Sequence, residues 1–294
     1  MNNTLTRILC IAAGVGALAA RLIAPLPPTQ DYAARYGYAA PAWLVPVGAF
    51  AGMLAMSGRL RPGRVRTAVF GIAMLLLLWA SGGLVLDAFR FFFWATGIPA
   101  GDFAIVDGRG AVARLAGAVG LVAVAAAYVA GGRVRPDVAR RPGRPLAVGG
   151  LALAAFYPAT KFYWSAGGTV LRPGHYTEKF PVGETVMLVG AAVLVLLLAL
   201  YGGRRRLIRV GLLGVGSVVT LVLLNQGLLP LFGLANHALG APRFAAMDVP
   251  AAVWTVDFVL YISWALLGLV IGWLALGYHD RTRPAVRVRA KVAA

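Results

Sequence analysis

Ten acidic and 28 basic side chains leave few groups in this 294-residue chain that could hold or move a proton. Three of the charged residues stand inside apolar stretches: Asp87 in WASGGLVLDAFR, Lys161 in FYPATKFYWS and Asp257 in VWTVDFVLY. A charge at the centre of a bilayer costs about 2.5–3.5 kcal/mol on insertion scales, so each such group needs a partner, a wet cavity or a shallow position. Glu184, Asn225 and Gln226 occupy comparable points in other apolar stretches. Two chemistries follow. A neutral carboxyl in an apolar site can donate a proton, which makes Asp87, Glu184 and Asp257 the acids of an intramembrane enzyme acting on a lipid or isoprenoid. Alternatively, the acids, Lys161 and the two amides form a polar pocket that binds or moves a small molecule or lipid without chemistry, with Trp164, Arg90 and Arg172 at its edge.

These residues must be positioned by elements suited to lipid. Sixty per cent of the side chains are hydrophobic and 13% charged, and the mean hydropathy is +0.78, far from the roughly 25% charged of soluble domains. A spanning helix takes about 20 mostly apolar residues. Eight segments fit: Leu5–Ala24, Ala42–Gly58, Ala68–Trp94, Val112–Ala130, Leu146–Ala166, Val186–Tyr201, Leu207–Leu231 and Ala252–Gly277. The expected fold is an all-α, polytopic transmembrane bundle in one membrane domain, residues 1–294, with a basic tail over 281–294.

The net charge of +18 falls in short arginine clusters between spans rather than on one basic face, which excludes nucleic acid as the partner and points to the lipid bilayer. Counting lysine and arginine in the loops, with both termini on one side, collects 19 of the 28 basic residues there. By the positive-inside rule that side is cytoplasmic and the membrane is the plasma membrane. Asp87, Lys161 and Asp257 then lie in the outer half of their spans. The first span, with Arg7 and Ala17-Leu18-Ala19, also has features of a cleavable signal peptide; the parity of eight spans accounts for the charge pattern without cleavage.

The chain repeats itself. Arg61-Pro62-Gly63-Arg64 precedes the third span as Arg141-Pro142-Gly143-Arg144 precedes the fifth, and WASGGLVLD at Trp79 matches WSAGGTVLR at Trp164. Leu115-Ala116-Gly117-Ala118 and Leu188-Val189-Gly190-Ala191 each stand 13 residues, leucine to tyrosine, before Tyr128 and Tyr201. The pattern divides the chain into helical hairpins over 1–60, 61–140, 141–204 and 205–280. Aligning Trp79 with Trp164 sets Asp87 opposite Arg172, so Asp87 is expected to pair with Arg172, Lys161 or, at i, i+3 spacing, Arg90.

Other features read as packing. Phe89, Phe91, Phe92, Phe93, Trp94, Tyr163 and Trp164 suit an interfacial aromatic belt. Gly48/Gly52 and Gly268/Gly272 have the GxxxG spacing that brings helices close, within the chain or against a second copy. His175 with Glu178 lacks a second matched pair, so no metal is expected. Cys10 stands alone, no phosphate loop, HExxH or GxSxG is present, and no cofactor is expected. A structural subunit of a membrane complex is the third reading.

The phrase Tyr157-Pro158-x-x-Lys161-x-Tyr163-Trp164-x-x-Gly167-Gly168-Thr169 resembles a signature of uncharacterised multi-pass membrane proteins from high-GC Gram-positive bacteria. The alanine-, arginine-, glycine- and valine-rich composition with three lysines is similar to theirs. The likeness covers one hairpin and part of its repeat, and departs in the third span, where Leu76 stands for the lysine and Asp87 appears. It implies a membrane location and helical hairpins, and no activity.

Overall fold

The computed structural model describes residues 3–20, 40–41, 43–57, 59–60, 63–130, 144–172, 180–202, 205–240 and 251–282. Most of the arginine-rich loop over 131–143, His175, Glu178 and most of the basic tail lie outside the described residues. Within them the chain is helical throughout, with no strand. The first half holds α1 (Asn3–Ala19), α2 (Leu44–Met56), α3 (Arg64–Ala80), α4 (Leu84–Thr96) and α5 (Gly108–Ala130), with a 3-10 turn at Gly101–Ala104. The second half holds α6 (Arg144–Ser165), α7 (Val182–Leu200), α8 (Arg206–Gly227), α9 (Leu229–Ala238) and α10 (Ala251–Thr282).

Each half builds its own core from one stripe of every helix. In the first, Cys10, Ala13 and Ala17 of α1 meet Val45 and Ala49 of α2, Phe70, Ala73 and Leu77 of α3, and Val124 of α5. In the second, Ala154 of α6, Leu194 and Leu198 of α7, Leu223 of α8 and Leu267, Ile271 and Leu274 of α10 form the core. The outward faces are equally apolar: Ile8, Ile11, Val15 and Leu18 on α1, and Leu207, Val210, Val215 and Val218 on α8, are exposed. Only 11% of the apolar stretch of α8 is buried within the chain. Helices hydrophobic on every side, with no protein over the outer one, are suited to lipid rather than water. Among the described residues, five helices are long and apolar enough to cross a membrane, counting residues 64–96 as one, while α1 and α2 are shorter apolar helices.

The two halves share an order of elements: two helices, an interrupted third, and a long fourth. Two spans expected to be continuous are therefore divided. The segment Ala68–Trp94 breaks at Ser81–Gly83 into α3 and α4, and Leu207–Leu231 breaks at Leu228 into α8 and α9. The Trp-Gly-Gly likeness between residues 61–140 and 141–204 does not follow this order. Its first copy is a mid-span break and its second is the end of α6.

Both GxxxG pairs pack within the chain. A Cβ on Gly48 would stand 2.9 Å from Leu77 Cγ, and one on Gly52 would collide with Val124 Cγ2. A Cβ on Gly268 would stand 3.1 Å from the Thr220 carbonyl oxygen of α8, and one on Gly272 3.2 Å from Thr220 Cγ2. The closest approach is at Gly227, where a Cβ would collide with the Ala265 amide nitrogen and lie 2.6 Å from the Tyr261 carbonyl oxygen. Backbone cannot yield as a flexible side chain can. Gly227→Ala is expected to destabilise the protein by about 1–3 kcal/mol, read as a lower melting temperature in detergent. Gly211→Ala, where the added Cβ meets nothing within 4 Å, is expected to be neutral or to stabilise by up to about 1 kcal/mol.

Candidate functional site

The polar residues singled out in the sequence fall into two clusters and one seam. The seam is the break in the third helix. Ser81 ends α3, and Gly83, in the left-handed region at φ 83°, restarts the chain as α4. A break inside an apolar bundle frees backbone groups that lipid cannot pair. Asn225, near the end of α8, meets both kinds. Its Nδ2 donates to the Ser81 carbonyl at 2.8 Å and to Ser81 Oγ at 3.2 Å, and its Oδ1 accepts from the Gly83 amide at 3.2 Å. Trp79 Nε1 donates to Asn236 Oδ1 on α9 at 3.1 Å, and the Trp79 ring stacks on Phe232 with centroids 6.1 Å apart. Gly82 leaves room for this, since a Cβ there would sit 3.2 Å from Phe232 and 2.9 Å from the Trp79 carbonyl. The two interrupted helices are thus joined at their interruptions.

The first cluster starts four residues after Gly83. Asp87 stands in the first turn of α4, where the helix dipole favours a carboxylate. Arg114 of α5 reaches it with two donors, Nε to Oδ2 and Nη2 to Oδ1, the latter at 2.9 Å. The same Nη2 lies 3.0 Å from Oδ2 of Asp107, whose Oδ1 caps α5 by accepting from the Gly110 amide at 2.8 Å. Gly110 has no Cβ to obstruct that bond; one would collide with Asp107 Oδ2. Arg90 Nη1 lies 3.5 Å from Asp87 Oδ1. Asp87, Arg90 and Arg114 are all at most 5% exposed, so two acids and two arginines balance inside the protein. The forked geometry is the one a guanidinium gives best.

The second cluster lies where α6, α7 and α10 meet. The Lys161 ammonium sits 4.6 Å from the Trp164 ring and 5.3 Å from the Tyr157 ring, within cation–π range. Asp257 and Glu184 supply the opposite charges within its electrostatic reach. Glu184 is exposed and Lys161 and Asp257 are half-buried, so this cluster opens to the outside of the bundle. Behind it, Tyr157 packs edge-on to Trp264 at 4.9 Å, and Tyr261 lies 5.7 Å from the same ring. Gln226 Nε2 and Trp264 Nε1 are buried and meet no acceptor among the described residues.

No family model, no curated protein and no solved structure matches this chain. Its function must be argued from its own residues.

Of the three partners expected for Asp87, the structure retains Arg90. Lys161 belongs to the other cluster, and Arg172, half-buried after α6, is not among the charges that act on Asp87. The principal partner, Arg114, stands two residues inside the predicted fourth span and escaped notice there. Its position 27 residues after Asp87, across a loop that returns the chain to the same level, is the signal that would have found it. Trp164 is not in the interfacial belt but fully buried, with Nε1 donating to the Val170 carbonyl at 3.1 Å. Phe89, Phe91, Phe92 and Trp94 are exposed, as a belt requires.

Removing Asp87 leaves two buried guanidinium groups facing each other. Asp87→Leu is expected to cost about 3–5 kcal/mol, and Asp87→Leu combined with Arg114→Leu less than the sum of the two single changes, measured by thermal unfolding in detergent. Asn225→Leu strands the Gly83 amide and leaves the Ser81 carbonyl with the Leu84 amide, 3.1 Å away, as its remaining donor, at an expected total cost of about 1–3 kcal/mol. Additive behaviour of Asp87 and Arg114 in the double-mutant cycle would contradict the pairing.

Proposed function

We propose that this chain is an eight-span plasma-membrane protein, both termini cytoplasmic, that binds or moves a small molecule or lipid at its outer polar side. The observation that carries the reading is the pair of interrupted helices. Irregular backbone at membrane depth is tolerated where it is buried in protein or lines a cavity, and discontinuous helices mark ligand sites in many transporters. Here two four-helix bundles with separate cores meet through their interrupted helices, an arrangement in which one bundle can shift against the other. The Lys161 cluster, open to the outside and walled by Tyr157 and Trp164, supplies charge and aromatic surface for a ligand.

An acid–base enzyme is supported less. Such chemistry needs an acid without a cationic neighbour, whereas Arg114 holds Asp87 and Asp107, and Lys161 stands before Asp257 and Glu184. The reading as a structural subunit gains nothing from the glycine faces, which pack within the chain.

The test is mass spectrometry of small molecules and lipids carried by the purified full-length protein, beside Lys161→Gln and Asp257→Asn. Both residues are half-buried, so the variants are expected to fold. A charge-assisted contact is worth about 1.5–3 kcal/mol, so the bound molecule should fall by about tenfold or more in Lys161→Gln. Identical cargo in wild type and both variants would defeat the proposal. Reporters fused at either end should both read out in the cytoplasm.

A further inference from the structure

The halves differ at one interface. In the first, α2 lies closely against α3, with Gly48 of α2 under Leu77 of α3. In the second, the corresponding helices α7 and α8 touch little. Gly190, in a Val-Gly-Ala triplet like that around Gly48, would place a Cβ in open space. The gap is an apolar crevice of about 330 Å³ lined by Met187, Gly190, Ala191 and Leu194 on one side and by Val215, Val219, Val222 and Leu223 on the other. The α8 side of the crevice is mostly valine, with Leu223 at its far end.

The difference continues to the arginine end. Arg66, near the start of α3, donates from Nε to the Ala55 carbonyl at 2.6 Å and so ties α3 to the end of α2. Arg209, near the start of α8, has a buried Nε that meets no acceptor among the described residues. The end of α7 is instead capped by Arg281 of α10, whose Nη2 lies 2.6 Å from the Leu198 carbonyl. Arg209 and Arg281 both act on Tyr278, and Arg205 and Arg206 are exposed beside them. Arg205, Arg206 and Arg209 therefore put positive charge at the start of α8, beyond the near end of the crevice. By helix rise the lining lies about 9–21 Å from Arg209, so it begins inside the cytoplasmic leaflet, about 15 Å deep, and ends past the midplane.

We infer that this crevice and Arg209 form a seat for an anionic phospholipid of the cytoplasmic leaflet, its phosphate at Arg209 and one acyl chain along Val215, Val219 and Val222. A wholly apolar lining suits a hydrocarbon chain, and the arginines choose the headgroup. The inference rests on the membrane orientation proposed above and not on ligand binding at Lys161.

The test is native mass spectrometry of the full-length protein in detergent, titrated with dioleoylphosphatidylglycerol or dioleoylphosphatidylcholine. Wild type should favour the anionic lipid about fivefold or more, the effect of one arginine at the surface. Arg209→Gln should lose that preference, and Gly190→Leu, which fills the crevice, should weaken both lipids alike. Should Gly190→Leu aggregate, Val219→Phe closes the same space with the same expectation. Lys161→Gln should bind the anionic lipid as wild type does, which separates failure here from failure at the outer site. Unchanged binding in the filled variants, a preference that survives Arg209→Gln, displacement by inorganic phosphate, or a wild-type dimer split by Gly190→Leu would each overturn the inference.

Discussion

A carbonyl or amide freed from a helix in apolar surroundings has no solvent to fall back on, and this constraint organises the centre of the molecule. Once the third helix stops at Ser81 and restarts at Gly83, something must meet the groups released, and an asparagine amide donates from one atom and accepts at another. Asn225 does so from the other half of the chain, which places the end of α8 against the break. That contact in turn sets where α9 begins and lets Phe232 and Asn236 reach Trp79. The glycines follow from the same approach: Gly82 admits Phe232, and Gly227 lets α8 end on the backbone of α10.

The restart of α4 also explains the placement of the buried charges. A helix that begins inside the protein presents its positive end there, and Asp87 occupies that first turn. One carboxylate at that point does not balance two arginines, and Asp107, fixed as the cap of α5, supplies the second negative charge through Arg114. The result is a closed, neutral set whose members hold α4 to α5. Such a set gives specificity of packing more than stability, because burying four charges offsets much of what their attraction returns. The Lys161 cluster is of another kind, one cation before two acids with Glu184 exposed, and is the part of the polar inventory in contact with the outside.

Much of the architecture was legible in the sequence, because apolar length reports helices in a membrane protein with little ambiguity. The polar residues in apolar stretches were also legible as exceptions, and Asp87, Asn225 and Lys161 do stand at the points of interest. What periodicity could not show was the division of two long apolar runs. A Ser-Gly-Gly triplet in such a run reads equally as close packing or as a break, and only the arrival of Asn225 from 142 residues away in sequence, in contact with Gly83, decides it. The break at Leu228 did carry a local signal, Gly227 followed by Pro230 in the first turn of α9, since proline has no amide hydrogen with which to continue the preceding helix. The repeat is matched locally, since Trp79 and Trp164 each stand one residue before the end of a helix and a glycine of positive φ follows each; what differs is that α4 restarts at once after Gly83. Arg114 was missed because it lies near a span's end, where a charge attracts no suspicion.

The correspondence of the halves makes their differences informative. If both bundles served only to support each other, the α7–α8 interface would be expected to close as α2–α3 does, since the same small residue is present at Gly190 as at Gly48. In the first half Leu77 stands over Gly48 and Arg66 holds the end of α2, whereas in the second a Cβ on Gly190 meets nothing within 4 Å and the buried Arg209 Nε meets no acceptor among the described residues. The open position at Gly190 and the unmatched arginine at the helix end are two separate differences, which is more than a single unfilled position would require. The first bundle is therefore the closed, charge-latched member of the pair. The second retains the space and the unsatisfied donor, and any movement between the halves at the Asn225 seam would be felt first across its open face.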